Sequence, residues 1–308
     1  MEFRINHDLH IHTNISSCCS DKGMTAEAIL DFALKSDYEM ICFTDHLWDS
    51  AVKGASNWYE PQNIAHISSL LPLPVSDKMR VMFGCEIEYS MSGLSLAPEN
   101  FDLFDFIIIP VNHFHMVNLV RSEDCDTAEK IAEFYTRRLE QLICMDLPWK
   151  KTGLAHLTAM MAKELGDDMY RVFRLMPEHR LEPVFKFFAE HGTGIELNAG
   201  CFGEWRNEHQ EDILRLYRIA KKAGCKFYCG SDAHALEELS GVQNNLGELV
   251  NLLKLTDNEH FYQGSNCVET VNILRTQTKH PTTELSLHGG ILAFTRASHP
   301  PITGISPA

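Results

Sequence analysis

Asp8-Leu9-His10-Ile11-His12-Thr13 places two histidines two residues apart at the end of an apolar run. Residues two apart on a strand point to the same face, so a strand here would aim both imidazoles one way. The arrangement recurs downstream. Met40-Ile41-Cys42-Phe43 runs into Thr44-Asp45-His46, and Val81-Met82-Phe83 runs into Gly84-Cys85-Glu86-Ile87-Glu88. Phe106-Ile107-Ile108-Ile109 leads to Val111-Asn112-His113-Phe114-His115, and Gly153-Leu154-Ala155 leads to His156. Gly194-Ile195-Glu196-Leu197-Asn198 and Lys226-Phe227-Tyr228-Cys229, followed by Gly230-Ser231-Asp232-Ala233-His234, complete seven strand candidates.

Helical periodicity fills the intervals. Thr25 reads as an N-cap for a helix with Ala26, Ile29, Ala33 and Leu34 on one face. The longest helix is expected between Thr127 and about Met145. Others are expected from Glu178 to Glu190, stopped near Gly192, and over Ile213 to Ala223, ended by Gly224. Strands alternating with helices predict an α/β fold with parallel strands, closed or nearly closed into a barrel. Residues 47–60 follow neither period and carry Trp48, Trp58 and Tyr59, which predicts a loop long enough to cover a site. No linker interrupts the chain before residue 275, so residues 1–275 read as one domain. Residues 276–308, rich in Thr, Ser, His, Gly and Pro, read as a loosely packed extension or one that packs on a neighbouring subunit.

With 308 residues, 44% of them hydrophobic and 22% charged, the chain is too apolar for disorder. The formal net charge of −15, with no basic run, argues against long nucleic acid as a partner. An excess of carboxylates also suits a chain that carries several cations. The ten cysteines are scattered without a Cys-x-x-Cys pair, and Cys42, Cys85 and Cys229 fall in apolar strands, which points to reduced thiols and a cytoplasmic protein. Neither a signal peptide nor a membrane span is expected. The oligomeric state is left open.

A lone histidine after a strand is more often structural than a ligand. Here His10 with His12, Glu86 with Glu88, His113 with His115, Glu196 with Asn198 and Asp232 with His234 all share a strand face. So many charged pairs are hard to attribute to core packing, where an unmatched charge is costly. In a barrel of this class they would gather at the carboxyl ends of the strands. Imidazoles and carboxylates suit zinc, manganese or iron, and a shared carboxylate allows a centre of two or three ions.

His10-Ile11-His12-Thr13, Thr44-Asp45-His46, Gly84-Cys85-Glu86, the His113 cluster, Ala155-His156 and Gly230-Ser231-Asp232-Ala233-His234 resemble, in order, the motif series of the polymerase and histidinol phosphatase (PHP) family. The motifs are individually short; the ordered set is specific. The resemblance implies a distorted (β/α)7 TIM-like barrel with three divalent ions at the carboxyl ends of its strands. His10, His12, Asp232 and a bridging Glu86 would hold the first ion. His46 and His234, with a ligand from the loop after His12, would hold the second. Glu86, His113 and His156 would hold the third. Glu86, Asp232 and His234 would carry the catalysis.

This chain departs from the family pattern in that loop, Ser16-Ser17-Cys18-Cys19-Ser20-Asp21. Asp21 is the expected ligand and Cys18 the substitute. Glu196 and Asn198 resemble a family strand that lines the substrate pocket. Arg121 and Arg206 are candidate phosphate clamps, against the alternative of surface arginines. Asp8 and Glu88 are candidates for orienting a ligand from behind, and His115 could replace His113.

The expected activity is hydrolysis of a small phosphate monoester by a metal-bound hydroxide, with histidinol phosphate the leading named substrate. The rivals are a phosphodiesterase or nucleotidase on short nucleotides, and a metal-binding regulatory module without turnover.

Overall fold

The computed structural model describes residues 2–159, 162–199 and 208–261. Seven parallel strands follow one another around the sheet in chain order: β1 His7–Ile11, β2 Met40–Phe43, β3 Arg80–Ile87, β4 Phe106–Pro110, β5 Thr152–Ala155, β6 Gly194–Asn198 and β7 Lys226–Gly230. All seven sequence-predicted strands form. The first spans His7–Ile11, and ahead of it Phe3 packs its ring 5.0 Å from that of His260.

Helices cover the outer face. Thr25 caps α1 (Ala26–Lys35) by accepting from the Ala28 N–H at 3.2 Å, and Thr127 caps α2 (Ala128–Leu142) in the same way. Gly192, at φ 76°, ends α3 (Glu178–His191), and α4 (Gln210–Lys222) precedes the last strand. A further helix, α5 (Val242–Leu253), was not anticipated, although Val242, Leu246, Leu249, Val250 and Leu253 are buried at helical spacing. No helix among the described residues is long and apolar enough to cross a membrane. Arg206 and residues 276–308 lie outside the described residues.

The period of two divides each strand between two environments. Phe83, Cys85, Ile107, Ile109, Leu154, Ile195, Leu197, Phe227 and Cys229 pack outward against the helices. The intervening side chains Cys42, Met82, Phe106, Ile108, Ala155 and Tyr228 meet inside the barrel, with Phe261 packed among them. Following the inward row along β3 gives Met82, Gly84, Glu86, and along β7 and beyond gives Tyr228, Gly230, Asp232. Apolar side chains thus fill the amino-terminal part of the barrel, and the same rows end in carboxylates.

Between β1 and β7 the backbone ladder is sparse, and side chains supply what it lacks. His7 Nε2 accepts from the Cys229 N–H at 2.9 Å and Asp8 Oδ1 from the Ser231 N–H at 2.9 Å. Past these the backbone resumes, with Asp232 N donating to His10 O at 2.8 Å and His12 N to Ala233 O at 3.3 Å. The barrel is therefore nearly closed, and its seam runs directly beneath the His-x-His pair.

The interior leaves no spare room. A Cβ at Gly153 would lie 2.6 Å from Phe106 Cζ and 2.7 Å from Tyr228 Cε1, distances that rigid rings in a packed barrel cannot yield. Gly153→Ala should therefore destabilise the fold by about 1–3 kcal/mol, the usual cost of overpacking. A denaturant midpoint equal to that of the parent protein would contradict this account of the interior.

Candidate metal centre

Register places the first contact. The two-residue strand His46–Leu47 pairs with β3 so that His46 lies opposite Glu86, bringing His46 Nδ1 within 3.0 Å of Glu86 Oε2. Four more imidazole nitrogens surround the same carboxylate: His12 Nε2 at 3.3 Å, His10 Nε2 at 3.5 Å, His113 Nε2 at 3.7 Å and His156 Nε2 at 3.8 Å. Asp232 sits beside it, Oδ1 at 3.4 Å from His10 and 3.3 Å from His12, and Oδ2 at 3.1 Å from His156.

Four groups of donors result, each with its atoms within 4.8 Å of one another: His10, His12 and Glu86; His10, His156 and Asp232; Glu86, His113 and His156; and His12, Cys18, His46 and His234. They lie at the base of a cavity of about 680 Å³ whose walls include Trp58, Tyr59, Met116, Val117 and Leu119. The loop containing Trp58 and Tyr59 thus reaches the site, as its length and composition predict.

Buried carboxylates hold the imidazoles in place. Glu196 takes His10 Nδ1 at 2.6 Å with one oxygen and accepts from the His156 N–H at 2.7 Å with the other. Glu88 takes His113 Nδ1 at 2.8 Å and the Tyr59 hydroxyl at 2.9 Å on one oxygen. These bonds select the opposite ring nitrogens, Nε2, as the ones presented to the centre. Asp45, from Thr44-Asp45-His46, receives both the N–H and the hydroxyl of Thr13 and so fixes the turn that follows His12. His156 and Asp232 stand in left-handed backbone, at φ 59° and 55°, a conformation that costs a non-glycine residue free energy and concentrates at functional sites.

The electrostatics fit cations. Glu86 is 1% exposed and neither of its oxygens has a hydrogen-bond partner; the buried His156 Nε2 has none either. Burial by itself would raise the Glu86 carboxyl, but His46 and His10 hold it well below its ordinary value; His10 and His156 act likewise on Asp232. Burial would depress His10 and His12, yet the carboxylates keep both well above the ordinary imidazole value. A carboxylate with unused lone pairs facing five imidazole nitrogens is a donor set that divalent ions would satisfy.

Several sequence expectations change here. Asp21 does not join the cluster, since its oxygens accept from the Gly23 N–H at 2.7 Å and the Leu236 N–H at 3.1 Å. Cys18 occupies the loop position beside His46 and His234 instead. Burial would push its thiol up, but His12, His234 and His46 pull it down to about 3. Arg121 is neither a phosphate clamp nor a surface arginine: it is 3% exposed and donates to the carbonyls of Phe114 at 2.5 Å and Cys125 at 2.7 Å and to Glu164.

Glu196 and Asn198 lie behind the imidazole cluster instead of lining the cavity, with Asn198 Nδ2 donating to Glu196 at 3.1 Å and to Asp232 at 3.3 Å. Asp8 ties the seam, accepting from the His10 N–H at 3.2 Å as well as from Ser231, and it holds no imidazole. His115 reaches the cavity wall but none of the four donor groups. The bonds of Asp45 to Thr13 and of Tyr59 to Glu88 go beyond the sequence reading, in which Asp45 adjoins His46 and Tyr59 belongs to the covering loop.

Gly230 is small so that Glu196 can reach His10. A Cβ there would lie 2.8 Å from His10 Cβ and would collide with the Glu196 carboxylate. Gly230→Ala should weaken metal binding about 10–100-fold, the range for loss of an orienting partner. Competition with a chromophoric chelator measures this, and parental affinity in a folded variant would remove Glu196 from its orienting role.

The PHP domain family's sequence profile matches residues 8–200. No curated protein sequence matches the chain. Among solved structures, the histidinol phosphate phosphatase of Lactococcus lactis, complexed with zinc, L-histidinol and phosphate, superposes with a TM-score of 0.52 at 16% identity, covering 81% of this chain and 92% of that one. A Listeria monocytogenes protein assigned as a histidinol phosphatase gives 0.45 at 12% identity, covering 76% and 97%. At 16% identity the likeness to the Lactococcus structure speaks to the fold alone, while the profile match spans more than half of the chain and runs from β1 through β6. The chain belongs to the PHP domain family.

Proposed function

We propose that this protein is a metal-dependent phosphoesterase that hydrolyses a small phosphate monoester. The observation that carries the reading is the Glu86 carboxylate, buried, without hydrogen-bond partners and surrounded by five imidazole nitrogens at the base of the cavity. Divalent ions bound there would neutralise phosphoryl oxygens and acidify water. His10, His12, Asp232 and Glu86 would hold one ion, Glu86, His113 and His156 another, and His46 and His234 with the loop a third. Glu86 would be shared. Zinc, manganese and iron all suit these donors.

The remaining residues divide the work. Glu196 and Glu88 keep His10 and His113 oriented, so the ligands need not reorganise when substrate arrives. Among the described residues the cavity lining is without lysine or arginine, and cations bound at its base would neutralise the phosphate. The apolar wall of Trp58, Met116, Val117 and Leu119 would seat the part of the substrate that leaves and keep bulk water from the reacting phosphorus. A histidinol-phosphatase-like activity is the leading assignment, supported by family membership and by a fold shared with the Lactococcus enzyme.

The test is phosphate release from histidinol phosphate, simple aryl and alkyl phosphates and nucleotides, using protein whose metal content has been measured first. Turnover should require bound metal and disappear with a chelator. Glu86→Gln should lower kcat by about 100-fold or more, the scale for removing preorganised charge stabilisation. Absence of turnover on every ester with two or more ions bound would overturn the proposal.

A further inference from the structure

We infer that Cys18 closes the cation site of His46 and His234 with a thiolate, where family resemblance leads one to expect a carboxylate or imidazole. The inference rests on the reading of this cluster as a metal centre, but not on the identity of the substrate.

Geometry supplies the first argument. Cys18 Sγ lies in one donor group with His12, His46 and His234, all four within 4.8 Å of one another. Glu86 is the independent second observation: its buried, unpartnered Oε2 borders this group, 3.0 Å from His46 Nδ1 and 3.3 Å from His12 Nε2. His12 Nε2 also lies 3.3 Å from Asp232 and 3.2 Å from His10 Nε2, and one ring nitrogen serves one ion. Assigning it to the neighbouring His10 site leaves Cys18, His46 and His234 as three donors with an open fourth position, the form of a catalytic site.

The loop is built to hold this cysteine. Ser16 N donates to Thr13 O at 3.1 Å and Cys19 N to Ser16 O at 3.0 Å, which makes a compact turn. Ser17 N is fixed by Gln62 Oε1 at 2.9 Å, and the buried Cys19 Sγ meets the His234 carbonyl at 2.9 Å. Cys18 alone of the pair faces the cavity. Its sulfur contacts Ser16 Oγ at 3.4 Å and otherwise faces the imidazoles of His12, His234 and His46. Asp21, the competing ligand, already uses both oxygens on backbone N–H groups.

The chemistry follows from softness. One thiolate and two imidazoles favour zinc, cobalt or ferrous iron over magnesium and manganese. This one site of the centre would therefore select its metal differently from the all-nitrogen-and-oxygen sites beside it.

Cobalt(II) titration of the metal-free full-length protein tests the assignment without substrate. The parent should develop a near-ultraviolet sulfur-to-cobalt charge-transfer band. Asp21→Asn and Cys144→Ser should retain the band, and Cys18→Ser should lose it. Zinc affinity in Cys18→Ser should drop by more than about tenfold, the lower bound for losing even an outer partner. Cys18→Asp should restore occupancy with a preference moved toward manganese, which separates loss of a ligand from loss of the fold. A parent protein without the band, or a band that survives in Cys18→Ser, would overturn the inference. A band accompanied by no phosphatase activity would sink the functional proposal and leave this one standing.

Discussion

Everything at the carboxyl end of this barrel depends on one buried charge, the Glu86 carboxylate. Taking an ionised carboxylate out of water is costly unless opposite charge is held close to it. Five imidazole nitrogens 3.0–3.8 Å away supply sites for that charge, brought from the ends of four different strands or strand-like segments. Protons on the imidazoles can balance it, and so can metal ions held by the same nitrogens. The two are alternatives, because a nitrogen that binds a cation cannot also carry a proton. The pH dependence of metal binding in such a cluster is therefore inherent in its composition.

A second constraint is the seam. β1 and β7 must meet to bring His10 and His12 against Asp232, yet their amino-terminal portions do not pair by backbone alone. His7 and Asp8 bridge the gap with side-chain acceptors, while Gly230 and Glu196 allow β6, β7 and β1 to approach closely. The residues that close the barrel and those that orient the ligands are thus interleaved on the same short segments. Damage to the closure would reach the centre before it unfolded the domain.

This interleaving explains what the sequence made legible. Period-two rows ending in His, Asp or Glu depend only on strand geometry, so the seven strands and the histidines and carboxylates of the cluster could be read directly. The loop after His12 has no period, and the choice between Asp21 and Cys18 turned on which side chain the Gly23 and Leu236 N–H groups capture, a contact 215 residues apart in sequence. Arg121 escapes a sequence reading for a different reason: its partners Phe114 and Cys125 are close in the chain, but nothing in their spacing indicates that carbonyls will converge on a buried guanidinium. Glu196 bonds His10 and His156 from behind, since an inward-facing residue on a strand can support an imidazole as readily as line a pocket. The helix Val242–Leu253 carried a readable pattern that the strand-end motifs overshadowed.

The loop over the cavity is tied to the centre by a specific bond. The Tyr59 hydroxyl and His113 Nδ1 share one oxygen of Glu88, and the Arg138 guanidinium lies 3.9 Å from the other oxygen while stacking on the Tyr89 ring. Trp58, next in sequence, packs edge-on to both Tyr59 and His46. A displacement of this loop cannot leave the site unaffected, because it removes a hydrogen bond from the carboxylate that sets the orientation of His113. The wall that would meet the leaving part of a substrate and the residue that would hold a cation are therefore mechanically one unit. Moving Tyr59 would loosen His113, which favours a pocket whose Trp58–Tyr59 side is formed before its substrate arrives.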